Sequence, residues 1–302
     1  MKQTLRQMIG TGRTVWAAGA FDGVSARLVQ QAGFDVVFTT GFGISASLLG
    51  RPDAELYTMT ENATVVANIC SIVARPVIAD IDTGYGGPLN VTRTMGEFER
   101  AGVSGVVLED QVSPKRCPLS SSDVGVSDID FSLAKLRALV EARGDPDLVV
   151  IARTDADDID EVIARSKLYL EAGADVVQPT SRGIRRYEDI VRLRDEIGAK
   201  VSLQIVGWLE KELDSDQIES VAAIATFPLV ALMSAAQAMR ENLSALSRSR
   251  CARNLPRPVE DHGNFSDMIG FAEINKIQTR FLPDKLMSDG SIDPRLAAVL
   301  SR

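Results

Sequence analysis

One phrase recurs along this chain and limits its fold more than any other feature. A helix-length amphipathic segment ends at a glycine, and a short apolar run follows at once, as in QQAGFDVVFTT, ERAGVSGVVLED, LEAGADVVQPT and, more weakly, DEIGAKVSLQI. Glycine at this position suits the left-handed backbone that ends many helices. Each phrase therefore predicts a helix followed directly by a buried strand.

Four further apolar runs, VWAAGA, RPVIADID, DLVVIARTD and VAAIATFPLV, bring the predicted strands to eight, with amphipathic helical segments between them. Nearly continuous apolar strands that alternate with helices indicate a parallel sheet covered on both faces. Eight such units favour an α/β fold of the closed (β/α)8 TIM-barrel type over an open doubly wound sheet. The length of 302 residues is normal for one such barrel.

Helical sequence continues after the eighth strand, through ALMSAAQAMRENLSALSRS and FSDMIGFAEINKIQTRFL. This is more helix than one barrel unit requires. We therefore expect residues 1–302 to form a single barrel domain in which residues 231–302 are a C-terminal helical extension that packs on a partner subunit or, alternatively, on the base of the barrel.

Composition excludes several classes of protein. Apolar residues make up 45% and charged residues 25%, and the net charge of -8 argues against a nucleic-acid partner. The three cysteines, Cys70, Cys117 and Cys251, show no regular spacing, which indicates reduced thiols in a cytoplasmic protein. No segment has the roughly 20 apolar residues that a membrane span needs. We expect no membrane contact.

Polar residues follow several predicted strands, where active sites of such barrels are built. Thr40, Gly41 and Asp53 follow the second strand, Asp80 and Asp82 the third, Glu109 and Cys117 the fourth, and Arg153 the fifth.

The carboxylates in this set predict a metal site. Asp80 and Asp82 are two residues apart, so both would face one side of an extended segment. They repel each other unless a cation neutralises them, and Mg²⁺, or alternatively Mn²⁺, prefers such oxygen ligands. The predicted ligands are Asp80, Asp82 and Glu109. The alternative is that these carboxylates cap helices or pair with Arg153 and Lys115.

The order Thr40-Gly41, Asp53, DIDTGYG, LEDQ, PKRC and IARTDA resembles the isocitrate lyase and phosphoenolpyruvate mutase superfamily. The similarity runs from AAGAFDGVSARL to FPLVALMSAA and is nearest to methylisocitrate lyases, dimethylmalate lyases and carboxyphosphonoenolpyruvate phosphonomutases. It implies a Mg²⁺-dependent barrel whose eighth helix is exchanged with a partner, usually in a homotetramer.

The resemblance also implies roles for individual residues. Asp53, Asp80, Asp82 and Glu109 would serve the metal and its water shell, with Asp53 also facing the substrate. Thr40 and Gly41 would bind a carboxylate of the substrate, beside Phe38 and Arg153. Cys117 would protonate the enolate released by C–C cleavage, and Lys115 and Arg116 would favour the thiolate and an anionic substrate.

The chain departs from the superfamily pattern in the other half of the site. Pro118 and Leu119 replace the Gly-His that usually follows the cysteine, and Thr180, Gln204, Gly207 and Val230 occupy positions that are usually Glu, Asn, Glu and Ser. We expect Thr180 and Gln204 to contact the substrate. The sole histidine, His262, is expected to be structural or exposed.

These losses argue against isocitrate as the substrate, because its three carboxylates would lack partners. The sequence predicts a lyase that cleaves a small 2-hydroxy diacid, of the alkylmalate or methylisocitrate type, to an α-keto acid and a carboxylic acid. The alternatives are phosphonopyruvate or carboxyphosphonoenolpyruvate chemistry, decarboxylation of oxaloacetate, and a non-catalytic paralogue that binds a keto acid.

Overall fold

The structure, a computed structural model, describes residues 3–121 and 123–281. Eight parallel strands form a nearly closed barrel: β1 Val15–Ala20, β2 Val36–Thr39, β3 Val77–Asp80, β4 Gly105–Glu109, β5 Val149–Thr154, β6 Val176–Pro179, β7 Val201–Gln204 and β8 Ala222–Phe227. Their hydrogen-bonded order is β6-β5-β4-β3-β2-β1-β8-β7. At the seam between β6 and β7, the Ser202 hydroxyl donates to Gln178 Oε1 at 2.8 Å. The predicted TIM barrel is confirmed.

Helices cover the strands on the outside. They are α1 Leu5–Gly10, α2 Gly23–Gln31, α3 Gly41–Ile44, α4 Met59–Ile72, α5 Pro88–Ala101, α6 Ile129–Ala142, α7 Ile159–Glu171, α8 Tyr187–Ile197, α9 Trp208–Glu212, α10 Ser215–Val221, α11 Val230–Ser249, α12 His262–Ile269 and α13 Phe271–Phe281. A π-helical turn, Ser45–Leu49, extends α3. Leu5 of α1 packs among residues at the N-terminal ends of the strands, so α1 covers that end of the barrel.

The recurring glycines have the conformation that the sequence predicts. Gly33, Gly102, Gly173 and Gly198 have φ of +90°, +92°, +102° and +70°. This left-handed backbone is costly for residues with a Cβ. Each glycine thus ends its helix and turns the chain into the next strand.

The C-terminal part is helical, as predicted. Contacts divide the chain into two compact units, one ending at Arg240 and the other beginning at Glu241. Within the second, the Arg257 guanidinium pairs with Glu241 at 2.5 Å and 2.9 Å. The predicted extension, 231–302, lies partly outside the described residues, and its packing on a partner stays a prediction.

The described helices are too short or too polar to cross a lipid bilayer. The cytoplasmic location stays a prediction.

Candidate active site

A pocket opens at the carboxyl ends of the strands and gathers most of the predicted site residues. Those that line it are Phe38, Thr40, Asp53, Asp80, Lys115, Cys117, Arg153, Thr180 and Gln204. Glu109 and Asp82 are buried next to this wall, 1% and 0% exposed, and reach Arg153 and Lys115. Residues that are distant in sequence therefore form one site.

Asp80 and Asp82 converge, although not in the way that the sequence predicts. Asp80 ends β3, but Asp82 has φ of +50°, so the segment is not extended and the same-side argument is wrong at Asp82. The carboxylates meet because the chain turns back: the Asp82 N–H donates to Asp80 Oδ1 at 3.2 Å. Positive φ at a residue other than glycine stores strain, which is typical of functional sites.

Gly41 lies directly against both carboxylates. Its N–H donates to Asp80 Oδ2 at 3.4 Å. A Cβ at this position would lie 2.7 Å from Tyr57 Oη, 3.0 Å from Asp80 Oδ2 and 3.2 Å from Asp82 Oδ1. Glycine leaves room for these oxygens, because an added Cβ at such short distances would force the neighbouring atoms to move.

Two buried cations pair with the carboxylates. Lys115 Nζ lies 2.5 Å from Asp82 Oδ1, 3.0 Å from Asp53 Oδ1 and 3.9 Å from Glu109 Oε1. Arg153 lies 2.9 Å from Glu109 Oε2 and from Asp155 Oδ1. The alternative, in which the carboxylates pair with Lys115 and Arg153, thus describes real contacts. These two cations nevertheless serve five carboxyl groups, those of Asp53, Asp80, Asp82, Glu109 and Asp155.

Burial and charge shift the pKa values strongly. Burial raises the pKa of Asp80 to about 6, against the lowering effect of Lys115. Burial likewise raises the pKa of Asp53, and raises that of Glu109 well above its ordinary value. Burial alone would lower the pKa of Lys115, but Asp82 and the other carboxylates outweigh it and raise that pKa. The cluster is therefore short of positive charge.

The residues present fit a divalent cation. Asp82 Oδ2 and Glu109 Oε1 are buried and have no hydrogen-bond partner among the described residues, and carboxylate oxygens are the donors that Mg²⁺ prefers. Among residues 3–121 and 123–281, no three His, Cys, Asp or Glu side chains already stand at ligand spacing. A cation at these carboxylates would compete with Lys115 for Asp82.

The cysteine loop follows β4. Cys117 is half-buried and lines the pocket with Pro118 and Leu119. Arg116 points elsewhere: its guanidinium is exposed and pairs with Asp123. Lys115 is committed to the carboxylates. The predicted effect of Lys115 and Arg116 on the thiol therefore has no direct contact to support it.

A residue that the sequence reasoning missed holds the loops together. Glu55 accepts hydrogen bonds from the Thr83 hydroxyl, from Ser113 Oγ at 2.6 Å and from the Lys115 N–H at 3.1 Å. It thereby joins the loops after β2, β3 and β4. No local pattern marks Glu55, because its partners are 28 to 60 residues away.

Two further residues that sequence reasoning missed could have been found from their position at strand ends. Asp155, in IARTDA, and Asp110, in LEDQ, follow strands as the predicted residues do. Asp155 pairs with Arg153, and its N–H donates to Asp110 Oδ1 at 3.0 Å. Asp110 also accepts from the Tyr169 hydroxyl at 2.7 Å. These residues orient Arg153.

Apart from Asp53, Asp80, Lys115 and Arg153, the pocket lining is uncharged. Among its polar side chains are Gln111, Gln178, Thr180, Ser181 and Gln204, and among its apolar residues are Phe42, Pro118, Leu119, Pro179, Val206, Pro228 and Leu229. Sequence reasoning identified Thr180 and Gln204 but not Gln111 or Gln178.

The remaining departures from the superfamily pattern, Gly207 and Val230, are next in sequence to residues that line the pocket. Gly207, with φ of +66°, precedes α9, and Val230 begins α11 and is 49% exposed. His262 is exposed and contacts Ser266 within its own helix, as expected of a surface residue.

Comparison with known proteins places the chain among enzymes. The family model described as phosphoenolpyruvate phosphomutase matches residues 5–247. The chain is 34% identical to 2,3-dimethylmalate lyase of Eubacterium barkeri over 92% of its length and 96% of the relative. It is 35% identical to oxaloacetate decarboxylase of Pseudomonas fluorescens over 68% of this chain and 71% of that one.

A solved structure has a similar fold. The complex of phosphonopyruvate hydrolase with oxalate and Mg²⁺ superposes with a TM-score of 0.83 and 30% sequence identity, covering 92% of this chain and 98% of the hydrolase.

Proposed function

Because the chain belongs to the phosphoenolpyruvate phosphomutase family, within the isocitrate lyase and phosphoenolpyruvate mutase superfamily of Mg²⁺-dependent lyases and mutases, we propose that it is a carbon–carbon lyase. Its substrate is a small 2-hydroxy diacid of the alkylmalate type, and its products are an α-keto acid and a carboxylic acid.

One observation carries the proposal: a thiol and a carboxylate-rich cluster share one pocket. Cys117 lines the same pocket as Asp53, Asp80 and Arg153. A binding protein for a keto acid has no need of a thiol there, whereas cleavage needs a proton donor for the released fragment. The dimethylmalate lyase named above acts on a substrate of the same class.

The cluster would hold Mg²⁺ through Asp80, Asp82 and Glu109, with Mn²⁺ as the alternative. When bound, this cation stabilises negative charge that develops on the keto-acid fragment. The chain's own groups bind the rest of this fragment. Thr40 and Gly41 bind one carboxylate, Phe38 packs against it and Arg153 adds charge-assisted hydrogen bonds.

The proton balance assigns two side chains. Asp53 lines the pocket and its pKa is raised by burial, so it accepts the proton of the substrate hydroxyl. The C2–C3 bond then breaks, C2 becomes the keto carbon, and the electron pair passes to C3 as an enolate of the departing acid. The Cys117 thiol gives its proton to C3. Exchange with water afterwards returns both groups to their starting forms.

The apolar wall favours an alkyl-substituted diacid over isocitrate. Val206, Leu119 and Leu229 line the pocket and offer a third carboxylate no partner, and burying a charge without partners is costly. Alkyl groups on the departing acid would instead pack against these side chains.

Decarboxylation of oxaloacetate is the second candidate, because a similar relative has that activity and its enolate needs no thiol. A screen distinguishes the two. The enzyme with Mg²⁺ is incubated with alkylmalates, malate, oxaloacetate and phosphonopyruvate, and released keto acid and CO₂ are measured. Keto acid from an alkylmalate without CO₂ supports the lyase. CO₂ from oxaloacetate alone selects the decarboxylase, and binding without turnover selects the non-catalytic paralogue.

A further inference from the structure

Two glutamine amides lie in the pocket wall with unused donors. Gln111 follows β4 and Gln178 lies on β6, and each side chain is 2% exposed and lines the pocket. The Nε2 of each makes no hydrogen bond within the described residues. Buried polar groups nearly always have partners, so two unpaired donors on residues that line one pocket indicate a ligand.

Both amides make one hydrogen bond within the chain. Gln111 Oε1 accepts the backbone N–H of Arg116 at 2.9 Å, and a backbone N–H can only donate, so the orientation of this amide is fixed and both hydrogens of its nitrogen are unused. Gln178 Oε1 accepts the Ser202 hydroxyl at 2.8 Å. A hydroxyl can also accept, but an amide nitrogen has two hydrogens, so Gln178 keeps at least one N–H for another partner in either orientation.

The charges around the pocket indicate what that partner is. Lys115 and Arg153 are the cations in the pocket lining, and both pair with carboxylates of the cluster. A ligand group bound at Gln111 and Gln178 meets neutral donors, with Arg153 beside Gln178 in the ladder between β5 and β6. A carboxylate suits them, because its two oxygens accept several hydrogen bonds.

We propose that Gln111 and Gln178 bind the second carboxylate of the substrate, the one that leaves with the carboxylic acid, and so select diacids over monoacids. This deepens the proposed function and rests on it for the substrate class. Gln111 also holds the N–H next to Cys117, so the carboxylate it binds belongs to the fragment that the thiol protonates.

The test compares malate with lactate, which shares the hydroxy-acid end but lacks the second carboxylate. Calorimetry with Mg²⁺ measures both acids in a Cys117→Ser background, which slows turnover during the titration. In Gln111→Glu and Gln178→Glu the accepting oxygen stays and the donor is lost. We expect malate to bind at least about tenfold more weakly, and lactate to change by less than about threefold.

Three controls make the result specific. Gln111→Met and Gln178→Met remove the donor without adding charge and should also weaken malate alone. Gln31→Met, an exposed position at the end of α2, should change neither acid. Circular dichroism confirms that each variant is folded.

Equal weakening of malate and lactate would place the amides at the hydroxy-acid end and overturn the proposal, as would unchanged malate binding. A loss at only one glutamine would overturn the paired assignment. Because only binding is measured, these outcomes are independent of the keto-acid screen. Absence of cleavage by the wild-type enzyme would contradict the proposed lyase activity and would leave the binding test unaffected.

Discussion

At the residue scale, Asp82 is central to the carboxylate cluster, because it contacts Lys115 and has an oxygen without a partner. We expect Asp82→Asn to reduce Mg²⁺ affinity by at least about tenfold, since a carboxylate is a much better ligand for a hard cation than an amide. Asparagine tolerates the left-handed backbone at this position, so the fold should persist. Calorimetric titration with Mg²⁺ measures the effect.

The matched control is Asp216→Asn, an exposed aspartate in the first turn of α10. Equal Mg²⁺ affinity in Asp82→Asn and Asp216→Asn would remove Asp82 from the ligand set.

Cys117 decides between the proposed reactions. We expect Cys117→Ser to retain Mg²⁺ and keto-acid binding and to lose cleavage by about 100-fold or more, because general acid catalysis contributes factors of that order and a hydroxyl is a far weaker acid than a thiol. Steady-state release of keto acid measures the loss. Cys251→Ser should keep full activity, and full activity in Cys117→Ser would exclude the thiol from the mechanism.

The thiol of Cys70 should be unreactive at neutral pH. Burial in α4 disfavours its charged form and raises its pKa to about 11, so at pH 8 only about one thiol in a thousand is ionised. Alkylation of Cys70 by iodoacetamide should therefore be slow and accelerate up to about pH 11. Peptide mass spectrometry follows the site, and rapid labelling at pH 7 in the folded protein would contradict the prediction.

At the element scale, the closure of the barrel between β8 and β1 depends on a residue without a side chain. A Cβ at Gly19, on β1, would lie 2.0 Å from the carbonyl oxygen of Pro228, which follows β8. Backbone cannot yield as a side chain does, so we expect Gly19→Ala to lower the free energy of unfolding by about 1–3 kcal/mol. Urea denaturation measures it.

Gly10→Ala serves as the comparison, because Gly10 ends α1 and a Cβ there meets nothing within 4 Å. Its stability should be unchanged or higher, since alanine favours a helix. A Gly19→Ala protein as stable as Gly10→Ala would show that the strands can separate without cost.

The pairing of the strands also explains why Arg153 lies between Glu109 and Gln178. The ladder between β4 and β5 sets Glu109 beside Arg153, and that between β5 and β6 sets Arg153 beside Gln178. Parallel register therefore brings an acid, a cation and an amide donor side by side at one rim. The sequence shows only that each follows an apolar run.

At the scale of the whole molecule, the helix after β8 bears apolar side chains that residues 3–121 and 123–281 leave uncovered. Met233, Met239 and Leu243 of α11 are 48%, 56% and 61% exposed. Met239 and Leu243 are four residues apart and therefore share one face of the helix. Exposed apolar groups on one helix face indicate association, so we expect a homotetramer or at least a dimer at micromolar concentration in sedimentation velocity.

Charged substitutions test where the subunits meet. Met239→Glu with Leu243→Glu should dissociate the assembly, because buried unpaired charge is costly. Leu89→Glu, at an 85% exposed position on α5, is the control and should leave the assembly intact. A wild-type monomer at micromolar concentration would contradict the predicted oligomer.

The sequence by itself determined the eight strands, the alternation of strand and helix, and the family. Apolar runs and helix-ending glycines are local features, and local spacing is enough to predict eight strand and helix units. Ordered motifs such as DIDTGYG and PKRC likewise identify the family without any contact being known. The predicted strand ends carry the residues that the pocket brings together.

Only the tertiary structure decided how these residues face one another. Asp82 meets Asp80 through a left-handed turn rather than an extended strand, Lys115 joins the carboxylates while Arg116 turns away, and Glu55 ties three loops together. Gln111 and Gln178 are candidates for substrate binding because their oxygens accept hydrogen bonds within the chain and their nitrogens have no partner among the described residues. Side-chain direction and hydrogen-bond partners depend on atoms far away in sequence, and no local pattern records them.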